Sequence, residues 1–195
     1  NAPNVVPDFA EVFYYVRDFN VDILEDLWAR VIKTAEGAAL GTGTRLEYEI
    51  IHGNRPELAN DVAQKIMYDN LVAIGGVSYT KKERAFAEQI YKTLRSPDKE
   101  ISSAGEVQPY KFTKGKGSTD VGDVSWMVPT AGLRTATWVP GTSAHTWQAV
   151  AAGGMSIGMK GMMNAAKTIA GTAVDLYNNP EAVKNAQKEL IERRG

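Results

Sequence analysis

The chain has 195 residues, with 22 Lys and Arg against 23 Asp and Glu, for a formal net charge of −1. That balance excludes a general electrostatic nucleic-acid binder, which concentrates basic charge on one face. With 44% hydrophobic and 23% charged residues the composition is that of a folded globular chain, long enough for one large domain or two small ones. Cysteine is absent, which removes disulfides, thiolate zinc sites and cysteine nucleophiles. The only histidines are His52 and His145, too few for a catalytic zinc site built mainly of imidazoles.

The chain opens at Asn1-Ala2-Pro3-Asn4 without an initiator Met, which suggests a processed chain or a fragment. No targeting pattern is present. The most apolar stretch, residues 149–174, is interrupted by Lys160, Lys167 and several glycines, and is too polar for a membrane span. A soluble, cytoplasmic protein without nucleic-acid or membrane partners is expected.

In chain order, Ala10, Val12, Tyr14 and Val16 alternate with polar neighbours and predict a strand over 10–17. Asn20 can cap a helix over about 21–40, with Leu24, Leu27, Trp28, Val31, Ile32 and Ala35 as one apolar stripe. Residues 44–51 alternate again, which completes a strand–helix–strand half-module. Asn54-Arg55-Pro56 marks a domain boundary. A helix is expected over 57–73, and Thr80-Lys81-Lys82-Glu83 forms a capping-box signature for another to about 95. Residues 96–117 read as a long polar connection, and the short apolar runs 124–128 and 133–139 as buried strands. From 146 onward the pattern is helical, with a break at Asn178-Asn179 and Pro180 in a first-turn position.

Three segments can carry chemistry. Asn4-Val5-Val6-Pro7, with Arg17 at a strand end, either is a plain extended lead-in or presents an amide and a guanidinium to a carboxylate. The run Gly117-Ser118-Thr119-Asp120-Val121-Gly122-Asp123 is either an Asp-stabilised turn or a loop whose backbone approaches a ligand closely. It is no calcium loop, because the alternating ligands and terminal Glu are missing. In Pro140-Gly141-Thr142-Ser143-Ala144-His145-Thr146-Trp147, a histidine lies just before an Ala- and Gly-rich helix. It is either structural or placed as a metal ligand or general base. No Gly-x-Ser-x-Gly elbow and no phosphate loop occurs.

Together and in this order, the phrases Ala-Pro-Asn-Val-Val-Pro-Asp, Gly-Ser-Thr-Asp-Val-Gly-Asp-Val-Ser-Trp and Gly-Thr-Ser-Ala-His-Thr-Trp resemble the metallo-amidohydrolases of the aminoacylase and carboxypeptidase G family. The likeness runs over nearly the whole chain but matches only the C-terminal half of such an enzyme. It implies an α/β fold: part of a zinc-peptidase-like catalytic domain over 55–195, and over 1–54 the second half of an inserted two-layer lid that forms a homodimer. It also implies one or two divalent ions, zinc or manganese, with His145 as the last metal ligand. Asn4 and Arg17 would hold the substrate carboxylate, and Gly117 and Ser118 would line the site. The other metal ligands and the general-base glutamate would lie in a missing N-terminal half. The implied reaction is metal-dependent hydrolysis of an amide bond to an amino acid, such as an N-acyl or aminobenzoyl glutamate, with the 195-residue chain inactive alone. The competing reading is a non-catalytic dimerisation or interaction module.

Overall fold

The computed structural model describes residues 3–115, 117 and 119–195. Its regular elements are helices: α1 (Val21–Thr42), α2 (Asp61–Ile74), α3 (Lys81–Tyr91), a 3-10 turn (Ile101–Gly105), α4 (Val121–Ser125), α5 (Trp147–Gly153), α6 (Ser156–Asn178) and α7 (Pro180–Arg194). No strand occurs among the described residues, so the expected α/β fold is corrected to an all-helical one. Alternation selects extended backbone, but a strand also requires a partner ladder. Residues 10–17 and 44–51 have no regular structure and no partner ladder, and Val12, Tyr14, Tyr48 and Ile50 stay more than half exposed. The run 124–128 instead closes helical turns, with the Met127 and Val128 amides donating to the Val124 carbonyl. A short apolar run cannot distinguish a buried strand from a helical turn by periodicity. Residues 133–139 form an irregular segment lying on α6, where Thr135 Oγ1 donates to the Gly161 carbonyl at 2.8 Å.

Contacts divide the chain into two units, residues 1–57 with 119–123, and residues 58–118 with 124–195. In the first, Asn20 Oδ1 accepts from the Asp22 amide at 2.8 Å and starts α1. Gly43, at φ 66°, ends it in the left-handed conformation that glycine adopts without penalty. No residue of α1 is buried; its apolar stripe is half-covered, with Trp28 edge-on to Tyr48 at 6.4 Å. Asp123 accepts from the Arg55 amide at 3.0 Å, which ties the 119–123 segment to the end of the 1–57 stretch.

The second unit holds the core, formed by Ala87, Ile90, Ile101, Val139, Ala152 and Ile157, with Tyr79, Phe86 and Leu94 against it. α2 begins at Asp61 and not at 57, because buried Asn60 caps it: its Oδ1 accepts from the Ala63 amide and its Nδ2 donates to the Ala186 carbonyl of α7. Glu189 of α7 accepts from the Asp61 and Val62 amides, so a carboxylate sits at the positive end of α2. The Thr80–Glu83 capping box forms as expected. Lys160 of α6 adds a second role for Glu83, meeting it at 2.6 Å while also donating to the Ser78 carbonyl at 2.9 Å.

These donors hold the Glu83 carboxyl down at about 2, against an ordinary 4.5; Lys160 is the largest cause, followed by the Thr80 amide and Ser156. A depressed carboxyl stabilises the fold above its unfolded pKa, and that contribution disappears as pH falls through the folded one. We therefore expect Glu83→Gln to lower the melting temperature at neutral pH. The gap to wild type should close between about pH 4.5 and about 2, as followed by circular dichroism.

Candidate functional site

His145 is held by a loop whose two ends are fixed. At its start, Val139 is buried in the core and its carbonyl accepts from the Thr142 amide at 3.1 Å. Gly141 has φ 84° and approaches Pro97 so closely that a Cβ would lie 2.7 Å from the proline Cβ. At its end, Thr146 caps α5: its Oγ1 accepts from the Ala149 amide at 3.4 Å and donates to the Ser143 carbonyl at 2.8 Å. Between these anchors His145 adopts φ 60°, one of two described non-glycine residues with positive φ. A side chain in the left-handed region costs on the order of 1–2 kcal/mol, so the surrounding contacts impose this conformation.

His145 lies at the edge of an open depression of about 430 Å³ lined by Trp138, His145, Thr146, Ala149 and Val150. Most of its wall is carbon: the indole of Trp138, the Ala149 methyl and the Val150 side chain. Among the described residues the His145 imidazole makes no hydrogen bond or ion pair. A second depression of about 320 Å³ is lined by Ile66, Asp69, Asp175, Asn178 and Asn179. Its carboxylates are engaged, Asp69 by Lys65 and Asp175 by Asn70 at 2.6 Å.

Asn4 and Arg17 belong to the first unit, Gly117 and His145 to the second. Asn4 is exposed in a turn. Arg17 is exposed, with its guanidinium carbon 5.1 Å from the Tyr15 ring centroid, a cation–π arrangement, and Phe13 packs edge-on to the same ring. Gly117 is exposed in irregular chain, and Ser118 lies outside the described residues. His52 is exposed in the first unit. In the second unit, the Tyr79 hydroxyl is buried without a hydrogen-bond partner among the described residues. Burial, then the charge of Glu83, pushes its pKa up to about 12. The sequence reading missed Trp138 and Val150 as pocket walls, since it placed one in a strand and the other in an undifferentiated helix.

Among the described residues, no group of three or more His, Asp or Glu is arranged to hold a metal ion. The described residues therefore make no metal cage among themselves; His145 offers one imidazole. Nor is any described helix long and apolar enough to cross a membrane.

The chain is similar to amide-bond hydrolases and peptidases, as its three motifs implied. Over 213 aligned residues it is 37% identical to a polypeptide of the p-aminobenzoyl-glutamate hydrolase of Escherichia coli (strain K12), covering 96% of this chain and 44% of that protein. It is 26% and 24% identical to the Xaa-Arg dipeptidases of Mus musculus and Homo sapiens, again over 96% of this chain but 37% of each of theirs. The chain thus spans less than half the length of these relatives. No protein-family model matches it, and no solved structure does.

If the left-handed backbone at His145 is imposed by its loop, His145→Gly relieves strain that His145→Ala retains. Urea unfolding should find the glycine variant about 1 kcal/mol more stable than the alanine variant. Equal stabilities, or a less stable glycine variant, would show an unstrained loop.

Proposed function

We propose that this chain forms part of a metal-dependent amidohydrolase that cleaves the amide bond between an acyl group and an amino acid, with N-acyl or aminobenzoyl glutamate as the substrate class. The observation that carries this reading is the similarity, over 96% of the chain, to the p-aminobenzoyl-glutamate hydrolase polypeptide. It is supported by an uncommitted imidazole in strained backbone beside a mostly apolar depression, since strain of this kind clusters at functional sites.

In this reading His145 supplies one ligand to a divalent zinc or manganese ion, whose chemistry is to polarise the scissile carbonyl and make water a better nucleophile. Arg17 and Asn4 hold the α-carboxylate of the substrate, so binding energy remote from the reacting carbon positions it. Gly117 and Ser118 line the approach. The remaining ligands and the general base are assigned to polypeptide outside these 195 residues, and the chain alone is inactive. Its partners are that polypeptide and a second copy, met through the 1–54 region. The bacterial relative is itself named as one subunit of its enzyme, which agrees with an assembled hydrolase.

The non-catalytic reading draws on the first unit, where Phe9, Phe13, Tyr14, Tyr15 and Phe19 are all more than half exposed. One substitution separates the two. In the intact protein, His145→Ala should release bound metal and reduce kcat/KM on an N-acyl amino acid by at least about a hundredfold, the upper end of what removing even a residue that orients a metal ligand does. Full metal content and unchanged function in that variant would favour an interaction module.

A further inference from the structure

Helix α6 has two apolar sides, and this chain covers only one of them. On the inner side Gly158, Gly161, Thr168 and Thr172 are buried, and Gly161 lies against the Ala136 carbonyl. On the opposite side Met159, Met163, Ala166, Ala170, Val174 and Tyr177 follow one another at steps of three and four residues. That spacing lines them up in a single stripe about 27 Å long. All six are exposed, Met163 at 49% and Tyr177 at 88%. No charged side chain falls within the stripe. Of the charged residues of α6, Lys160 pairs with Glu83, Asp175 accepts from Asn70, and Lys167 borders the stripe.

The same unit shows what a water-facing helix of this protein looks like. The exposed side of α3 carries Arg84 paired with Glu88. That of α7 carries Lys184 with Glu181 and Lys188 with Glu192. A helix that is instead apolar on all sides belongs in an interior. That interior is not a bilayer core, because α6 is not long and apolar enough to cross one. A helix lying on a membrane surface backs its apolar face with a basic, solvated one. Behind the stripe of α6 stand buried glycines and threonines.

The occupant follows from length. The aligned region is 44% of the bacterial relative and 37% of each dipeptidase, so more than half of every one of these proteins has no counterpart here. We infer that the 159–177 stripe of α6 is the docking face for polypeptide outside these 195 residues, which meets it with an uncharged, apolar surface. Large aliphatic or aromatic side chains of that surface seat over Ala166 and Ala170, and the flexible thioethers of Met159 and Met163 fill the gaps around them. The identity of the occupant rests on the similarity that also carries the amidohydrolase reading, but the docking does not require turnover.

The test needs no disruptive substitution. Wild-type intact protein is oxidised with hydrogen peroxide, and sulfoxide at Met159 and Met163 is followed by peptide mass spectrometry, natively and in urea. Covered thioethers should oxidise at least about fivefold more slowly in the native protein than in the unfolded one. A smaller difference would leave the stripe open to water and overturn the docking face. The occupant is read by replacing methionine with photo-methionine, a diazirine of nearly the same shape, and irradiating the intact protein. Adducts from Met159 and Met163 should lie in polypeptide outside residues 1–195. Adducts confined to these 195 residues, in the same or a second copy, or products with lipid or water alone, would overturn it. Hydrolysis of an N-acyl amino acid, assayed separately, distinguishes the two readings. Protection and outside adducts without hydrolysis keep the docking face and remove the amidohydrolase. Hydrolysis by a protein with unprotected stripe methionines does the reverse.

Discussion

The second unit depends on how closely other backbone can approach α6. Its buried face is made of small residues: Gly158, Gly161, Thr168 and Thr172, with Ile157 as the one large side chain. A Cβ on Gly158 would run into the Gly153 carbonyl, and one on Gly161 would lie 2.6 Å from the Ala136 carbonyl oxygen. Contacts this short exclude any side chain, so glycine is required for packing at both places. The two threonines bury their hydroxyls by returning them to their own helix, Thr168 to Asn164 and Thr172 to Thr168. The close approach holds residues 135–139 on the helix, which sets Trp138 against α5 and directs the chain into the loop that carries His145.

Polar groups then fix which elements lie on this helix. Lys160, one residue before Gly161, reaches Glu83 and the Ser78 carbonyl, and so ties α6 to the start of α3. Asn60, Glu189 and Arg193 lock α2 to α7, with Arg193 meeting both Asp61 and Glu189 within 2.8 Å. Apart from the Arg193–Glu189 pair within α7, these contacts join residues more than 70 positions apart in sequence, and the Glu83 carboxylate is nearly buried. On its other side α6 carries Met159, Met162, Met163, Ile169, Val174 and Tyr177, each about half exposed or more, and Met155 just before its first turn is likewise half exposed. The helix is therefore apolar on two sides, and its glycine side is the one that packs within the chain.

Local chemistry was legible in the sequence wherever a signal and its partner lie within a few residues. Asn20, the Thr80–Glu83 box, and Asn179 with Pro180 all start helices as their types require. The absence of strands among the described residues was not legible, because alternation at 10–17 and 44–51 says nothing of whether a neighbouring ladder exists. The irregular course of 133–139 follows from close packing on Gly161, a contact distant in sequence that no local pattern encodes. For the candidate site, the motif singled out the loop around His145, but neither its positive φ nor the wall built by Trp138 and Val150 could be read from spacing. Glu83 was legible as a cap, while its pairing with Lys160 had no sequence signal.

The hydrolase proposal draws on three observations: a loop strained at His145, an apolar depression beside it, and similarity to amide hydrolases over nearly the whole chain. The most direct measurement is release of free amino acid from an N-acyl amino acid by the intact protein, before and after treatment with a chelator. Hydrolysis should stop on chelation and return when zinc or manganese is restored. Hydrolysis indifferent to the chelator would contradict the metal assignment of His145, and no hydrolysis by the metal-loaded intact protein would contradict the enzyme reading altogether.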